Sequence, residues 1–377
     1  MEVSRRNRCT RIVNSVWKFI GGRLEMKILR FLLVFLCAVP LYPKKVAGLP
    51  GIEHPAAMAI ADSILYICDR ESIHLFQLEP FRFVEKFGRS GEGPGEFNSP
   101  PHLAVHPNHL FINTMGKIMK FSKKGEFLEQ SKIPFTYFYV YYPLKQAVPN
   151  YVGLPLKRVE DKVPFIHTVN IYDSQLKLLK EIYQGIPPQL LPPARPGTKI
   201  IKQDYEVIPD CLEVAVQDNK IYVGDTRRGF YIAVFSNTGE HLFDIKEKYR
   251  KVRVPDGFKK EFWQELRASE RWEEQKQRFN YLIKDYYPAF YSMKIQQKKI
   301  YVTTYDQKDS LYELVVLDLQ GKIVKRDFSF PLDPEFRVLT GTASFSDQYA
   351  VYDDIIYYVV LNERTMLYEL HASSIVQ

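Results

Sequence analysis

The strings IYVGD at 221 to 225 and VFSNTGEH at 234 to 241 decide the fold, because each returns along the chain in a common register. The first returns as ILYICD at 64 to 69, LFINT at 110 to 114, NYVGL at 150 to 154, IYVTT at 300 to 304 and IIYYVV at 355 to 360. Most copies follow a segment of alternating apolar positions, such as Met58/Ile60, Leu103/Val105, Leu212/Val214/Val216 and Met293/Ile295. That alternation is the pattern of a strand with one buried face. The second string returns as FSKKGEF at 121 to 127, IYDSQLKL at 171 to 178 and VLDLQGKI at 316 to 323. In it Ser122, Ser236, Asp318 and Asp173 stand three residues before Gly125, Gly239, Gly321 and Leu176. A Ser or Asp side chain accepts hydrogen bonds from amides two residues on, and glycine supplies φ > 0, so these are hairpin turns between a third and a fourth strand. Leu176 breaks the glycine rule, and its turn is expected to differ in detail.

The central aromatic of each copy falls at 66, 111, 151, 222, 301 and 357, and the first two gaps, 45 and 40 residues, match a four-stranded propeller blade. Longer gaps hold inserts. One is IPPQLLPPARPG at 186 to 197, whose prolines lack the amide a central strand needs. The other, about 256–285, has helical character, with Phe258, Phe262, Leu266, Phe279 and Leu282/Ile283 as an apolar stripe and Glu274 with Arg278 one turn apart. The sequence therefore predicts an all-β fold, a single six-bladed β-propeller of four-stranded antiparallel blades with one helical insertion. The last unit is a strand short, so the segment before Met58 is expected to close the ring.

Composition supports a packed body, with 46% hydrophobic and 25% charged residues in 377. The formal charge of +8 is localised: residues 1 to 48 hold ten Lys/Arg and two acids, leaving 42 basic and 42 acidic residues from Leu49 onward. A neutral body removes the main support for a nucleic-acid partner. From Met26, which reads as the true start, MKILRFLLVFLCAVPLYPKKVAG has the layout of a secretory leader. Its run Ile28 to Val39 is shorter than the ~18 to 20 residues of a membrane span. Val46 and Gly48 suit the −3 and −1 positions of a cleavage site, which puts the leader at 1–48 and the propeller at 49–377. Export to the periplasm or outside follows, with lipid anchoring at Cys37 the lesser alternative. Cys68 and Cys211 fall in opposite blades and read as buried thiols rather than a bridge.

FGRSGEGPGEF at 87 to 97, followed by a proline pair and HLAVHPNHLFIN, resembles the NHL-repeat propellers, in particular the secreted bacterial proteins described as six-bladed β-propellers. The resemblance is good over residues 55 to 135, fair over 207 to 325, and elsewhere a matter of spacing. It implies the architecture and the compartment. NHL-type propellers include protein- and RNA-binding scaffolds, a peptide-amidating lyase and lactonase-like relatives with a channel metal, so the resemblance names no ligand.

The glycine-rich string has no following Lys-Ser/Thr and no helix, so it lacks the parts of a phosphate loop. It reads as a crossover between blades with Phe97 plugging the interface and Arg89, Glu92 and Glu96 as polar contacts at the rim. His102 and His106 would be about 13 Å apart on a strand, too far to share an ion; His106 and His109 read as turn residues, and His102 stays of interest at the start of its strand. Asp69 and Asp225 read as turn caps. No nucleophile motif is present. A channel metal of the lactonase type would need carboxylate and amide ligands from several inner strands; Glu53, His54, Asp210 and Asp347 lie near inner-strand starts and could converge, though any propeller supplies such residues. The insertion is expected to pack on the propeller, with Trp263, Tyr286 and Tyr287 bordering a binding site. The candidate ligand residues are thus Arg89, Glu92, Glu96, His102, Asp210, Trp263, Tyr286 and Tyr287, with no catalytic residue, metal ligand or cofactor assigned. They suggest a secreted, non-catalytic, monomeric scaffold for a peptide, glycan or protein, without nucleic acid and without a membrane span once the leader is gone. The alternative is a hydrolase or lyase with a divalent metal in the channel.

Overall fold

A computed structural model describes residues 44–114, 116–132, 144–158, 165–185, 202–331 and 348–375. Most of the leader, including Cys37, the proline-rich stretch 186–197 and Asp347 lie outside the described residues. Six antiparallel sheets form the blades of a six-bladed propeller. Blade 1 takes Pro55–Ala61, Ile64–Asp69, Ser72–Gln77 and Arg82–Phe87; blade 2 takes His102–Val105, Leu110–Thr114, Lys117–Phe121 and Phe127–Lys132. Blade 3 takes Lys145–Ala147, Asn150–Gly153, Phe165–Tyr172 and Leu178–Gln184, with Leu156–Arg158 added beside its third strand. Blade 4 takes Leu212–Gln217, Lys220–Asp225, Tyr231–Ser236 and His241–Lys246; blade 5 takes Ser292–Gln296, Lys299–Lys308, Leu311–Asp318 and Ile323–Phe330.

Blade 6 joins the two ends of the chain. Tyr349–Tyr352, Ile355–Asn362 and Leu367–Ser374 supply three strands, and Lys44–Gly48 pairs antiparallel along the third as the fourth. The expected closure is present, and the closing strand Lys44–Gly48 lies within the segment assigned from sequence to the leader. Cleavage after Gly48 would remove the closing strand.

All four Ser/Asp turns share one geometry. Ser122, Asp173, Ser236 and Asp318 each accept from the amides two and four residues on, at 2.9 to 3.3 Å. Gly125, Gly239 and Gly321 take φ of +80° to +91°, and Leu176 takes +62° with the same backbone bonds. The expectation that Leu176 builds a different turn is therefore overturned. Its left-handed backbone is held by the Asp173 cap, and its side chain packs on the cluster of Ala104, Phe111, Ile118, Leu144, Tyr151 and Tyr172 between blades 2 and 3.

The insertion is helical only in its first part. Helices α1 (Asp256–Ala268) and α2 (Trp272–Arg278) are followed by Phe279–Leu282, which pairs in parallel with Gln203–Glu206. The β-prone run Phe-Asn-Tyr-Leu finds a strand partner there, so pairing overrides the helical periodicity read for Phe279 and Leu282. Glu274 and Arg278 form the expected pair at 3.1 Å. Phe258, Phe262, Tyr281 and Ile283 pack on a cluster containing Tyr291, Phe330 and Tyr349, which fastens the insertion to blades 5 and 6.

Candidate functional site

Antiparallel strands sort the connections onto two faces. Turns between first and second strands, and between third and fourth, share the hairpin face. Crossovers between blades, and the insertion, share the opposite one. All eight sequence-derived candidates belong to the crossover face, and the structure divides them into separate groups.

The glycine-rich crossover is braced from within. Arg89 pairs with Glu96 at 2.7 Å, the Gly93 amide donates to Glu96 at 2.8 Å, and Asn98 donates to Glu92 at 3.1 Å. The Gly93 amide and Arg89 together hold the Glu96 carboxyl below its ordinary range. Phe97 is fully buried, and its ring occupies the space a Cβ on Gly88 would need, 2.3 Å away. Gly88 also has φ +80°, so this position requires glycine twice over. The blade-interface reading of Phe97 holds; Arg89, Glu92 and Glu96 spend their charge on the loop itself.

His102 begins the inner strand of blade 2, paired with Asn113. Asp210 accepts from Lys284 at 2.6 Å and from Thr226 at 2.9 Å, and Lys284 also pairs with Glu206 at 2.8 Å. This ties the exit of the insertion to the crossover before blade 4. Tyr287 is buried and stacked on Tyr305 with centroids 4.3 Å apart, which makes it core rather than contact surface. Trp263 packs edge-on against Phe262 and Tyr281, and Tyr286 is 51% exposed.

The carboxylates considered for a channel metal do not converge among the described residues. Glu53 pairs with Arg70 at 3.4 Å, His54 also contacts Arg70, and Asp210 belongs to Lys284. No group of three or more His, Cys, Asp or Glu placed to hold a metal occurs among the described residues. Asp225 caps the short turn Thr226–Arg228, as expected. Asp69 does more than cap: it accepts from the amides of Glu53 and His54 and so anchors the crossover from blade 6 into blade 1.

Beside it, Ser72 and His74 complete a buried Ser-His-Asp trio that no sequence motif announced. Both Ser72 Oγ, at 3.3 Å, and Asp69 Oδ2, at 3.8 Å, face the same ring nitrogen, Nε2. A catalytic triad needs them on opposite nitrogens. Burial also pushes the His74 pKa down, and Ser72 donates to the Asp69 carbonyl at 3.1 Å. The trio is a structural clamp.

The cavity is elsewhere. About 640 Å³ of space runs along the propeller axis, lined by residues of all six inner strands. Its lining continues into the hairpins at Asp62, Pro107, Val148 and Asn219 and includes no residue of the insertion, so it opens on the hairpin face. Each inner strand has a strand partner on one side only, so its other main-chain edge faces the axis. Opposite the six central aromatics stand Ala59, Ala104, Gln146, Ala215, Lys294 and Ala350. Alanine in four blades gives the aromatics room; Gln146 and Lys294 break the pattern and bring polar groups into the wall. The Lys294 ammonium donates to the Tyr349 carbonyl and lies 4.6 Å from that ring's centre. At the mouth, Lys123 pairs with Asp62, and Gln217 donates to Asp218 at 2.8 Å. Burial pushes the nearby Asp354 carboxyl up, but hydrogen bonds from Lys299 and Tyr301 outweigh it and hold the group below its ordinary value. The described lining thus mixes paired charges, amides and apolar strand residues around a 640 Å³ space.

Among the described residues no helix is long and apolar enough to cross a membrane. No curated protein matches the chain. One chain of a crystal structure of a mitotic checkpoint complex aligns with 89% of this chain and 92% of its own length, at 8% identity and a TM-score of 0.40. Residues 51–177, the stretch from the first crossover into the third blade's last turn, match a family model described as a 6-bladed beta-propeller, in agreement with the six sheets.

Proposed function

We propose that the protein is an exported, non-catalytic binding propeller that takes an elongated ligand, a peptide segment or a glycan chain, into its axial channel from the hairpin face. The observation that carries this reading is the 640 Å³ cavity ringed by six inner strands, each with a strand partner on one side only. Main-chain groups along strand edges suit an extended peptide or a run of hydroxyls equally well, and Gln146 and Gln296 place side-chain amides in the wall. The NHL-like glycine string and the leader-like segment at Met26 support kinship with secreted propellers. The insertion then acts as a fixed cover on the opposite face.

The test is a screen of peptide and glycan arrays, followed by two variants. Ala61→Trp, at the partly exposed mouth of the channel, is expected to weaken binding at least tenfold, while Tyr286→Ala on the insertion leaves it within twofold. The reverse pattern would move the site to the crossover face. Turnover of a lactone or peptide substrate by metal-supplemented protein would replace the binding reading with a catalytic one.

A further inference from the structure

We propose that any leader removal during export cuts N-terminal to Lys44, so that the ring-closing strand Lys44–Gly48 is a permanent part of the mature protein. This rests on strand pairing and not on the ligand reading above. Val46 and Gly48 present the small-residue pattern that a leader peptidase recognises. Hydrolysis there, with water adding across the Gly48–Leu49 bond, would discard all five residues of the strand.

The loss would be large for the fold. Lys44, Lys45, Ala47 and Gly48 pair with Ala372, His371, Leu370 and Glu369. Lys45 Nζ reaches Glu369 at 2.6 Å, and the same carboxylate accepts from Asn362 at 2.8 Å and meets His371 at 3.2 Å. Without the strand, the Glu369–Ala372 edge would lose its partner beside exposed Val360, Leu361 and Leu367. An unpaired apolar edge recruits other chains. Directly after the strand, Leu49 is fully buried against Met58 and Leu370, and its amide donates to the Tyr368 carbonyl at 2.9 Å.

Leader peptidases act on the chain before it folds, so strand pairing cannot shield the Gly48 bond. Discrimination has to lie in the sequence, and it does: Lys44 and Lys45 interrupt the stretch between the apolar run and Val46, where the leader pattern carries small uncharged residues.

Export of the full chain from a bacterial host, followed by intact mass and N-terminal sequencing, tests the proposal. The purified protein is expected to begin at or before Lys44, whether the leader is cut upstream or kept whole. A start at Leu49 or later overturns it. Gly48→Arg gives a second readout, because Gly48 is exposed and open space surrounds its missing Cβ, so the fold accepts the side chain. Its mature mass is expected to differ from the parent's only by the substitution. Retention of the leader in this variant alone would show that the Gly48 bond is the one cut, and would equally overturn the proposal.

Discussion

Three of the six central aromatics bond beyond their own blade. Tyr66 donates to the Lys123 carbonyl and Tyr222 to the Leu319 carbonyl, each at 3.3 Å, and Tyr301 donates to Asp354 at 2.9 Å. Each bond reaches a hairpin of the following blade, so the repeat that marks the fold also locks its neighbours. Burial pushes the Tyr66 and Tyr222 phenols up to about 12, which keeps both as donors at every ordinary pH. Tyr222→Phe retains the ring and leaves the Leu319 carbonyl without its donor, and is expected to cost about 1 kcal/mol in urea unfolding. No measurable loss would show that the lock is made by packing alone. The aromatic spacing was legible in the sequence; the partner of each hydroxyl was not, because it depends on a hairpin some 50 to 100 residues away. His106 was legible as a turn residue but not as a buried one. It is 5% exposed, stacks on His109 and donates from Nε2 to the Leu144 carbonyl at 3.0 Å. Burial, reinforced by His109, lowers its pKa to about 4, and burial lowers that of His167 to about 4 as well. A folded value below the unfolded 6.5 means stability that is present above 6.5 and lost as pH falls through the window from 6.5 to 4. Urea unfolding at pH 5 against pH 7 is expected to show a loss of about 2 kcal/mol per histidine. A flat profile over that range would mean that one or both rings are hydrated in the native state.

Turns show where local rules and tertiary structure compete. The hairpins at Asp62-Ser63, Asp218-Asn219, Gln297-Lys298 and Asp353-Asp354 each place two consecutive residues at φ between +48° and +61°. That conformation suits Asn-Gly and costs other L-residues about 1 to 2 kcal/mol each. Gln297 earns its place through its bond with Asp353 in the adjoining blade. Lys298 is exposed and makes no such contact among the described residues. Lys298→Gly relieves its backbone against a glycine entropy cost of about 0.5 to 1 kcal/mol, so a net gain of about 0.5 kcal/mol is expected by calorimetry. Destabilisation would mean that the Lys298 side chain contributes to the fold. Leu176 illustrates the other side: the Ser/Asp rule was readable at four turns, and the glycine rule failed where Leu packing between blades 2 and 3 compensates. Phe279–Leu282 misled for a related reason, since parallel pairing with Gln203–Glu206 overrides its helical spacing. The cavity left the faintest trace of all. Its wall is alanine-rich strand edge, which carries no motif, whereas the charged and aromatic residues that attracted attention lie on the crossover face, with Arg89, Glu92, Glu96 and Asp210 already engaged by neighbouring residues.

At the scale of the whole molecule, the ring behaves as one body only while blade 6 is closed by residues from both ends of the chain. Its weakest seam is thus set by the Glu369 clasp. Hydrogen bonds from Lys45 and Asn362 lower that carboxyl to about 2. A depressed carboxylate contributes stability above its ordinary value near 4.5, and this is lost as pH falls from there toward 2. Asp244 also titrates toward 2, but its partners Tyr231, His241 and Lys246 all belong to blade 4, so its loss loosens one blade without opening the ring. Asp354 is held down as well and ties blade 5 to a hairpin of blade 6, but its release frees no strand from a sheet, so acid should free a whole strand first at the Glu369 clasp. Hydrogen exchange between pH 4.5 and 2 is expected to accelerate in 44–48 and 367–374 before the paired strands of blades 1, 4 and 5. Glu369→Gln keeps the shape, removes the charge, and is expected to show the same faster exchange already at pH 7, with little further change in acid. Exchange that rises evenly in all six blades, or a Glu369→Gln protein indistinguishable from its parent at pH 7, would mean that the backbone ladder alone holds the seam and that the Lys45–Glu369 pair is incidental.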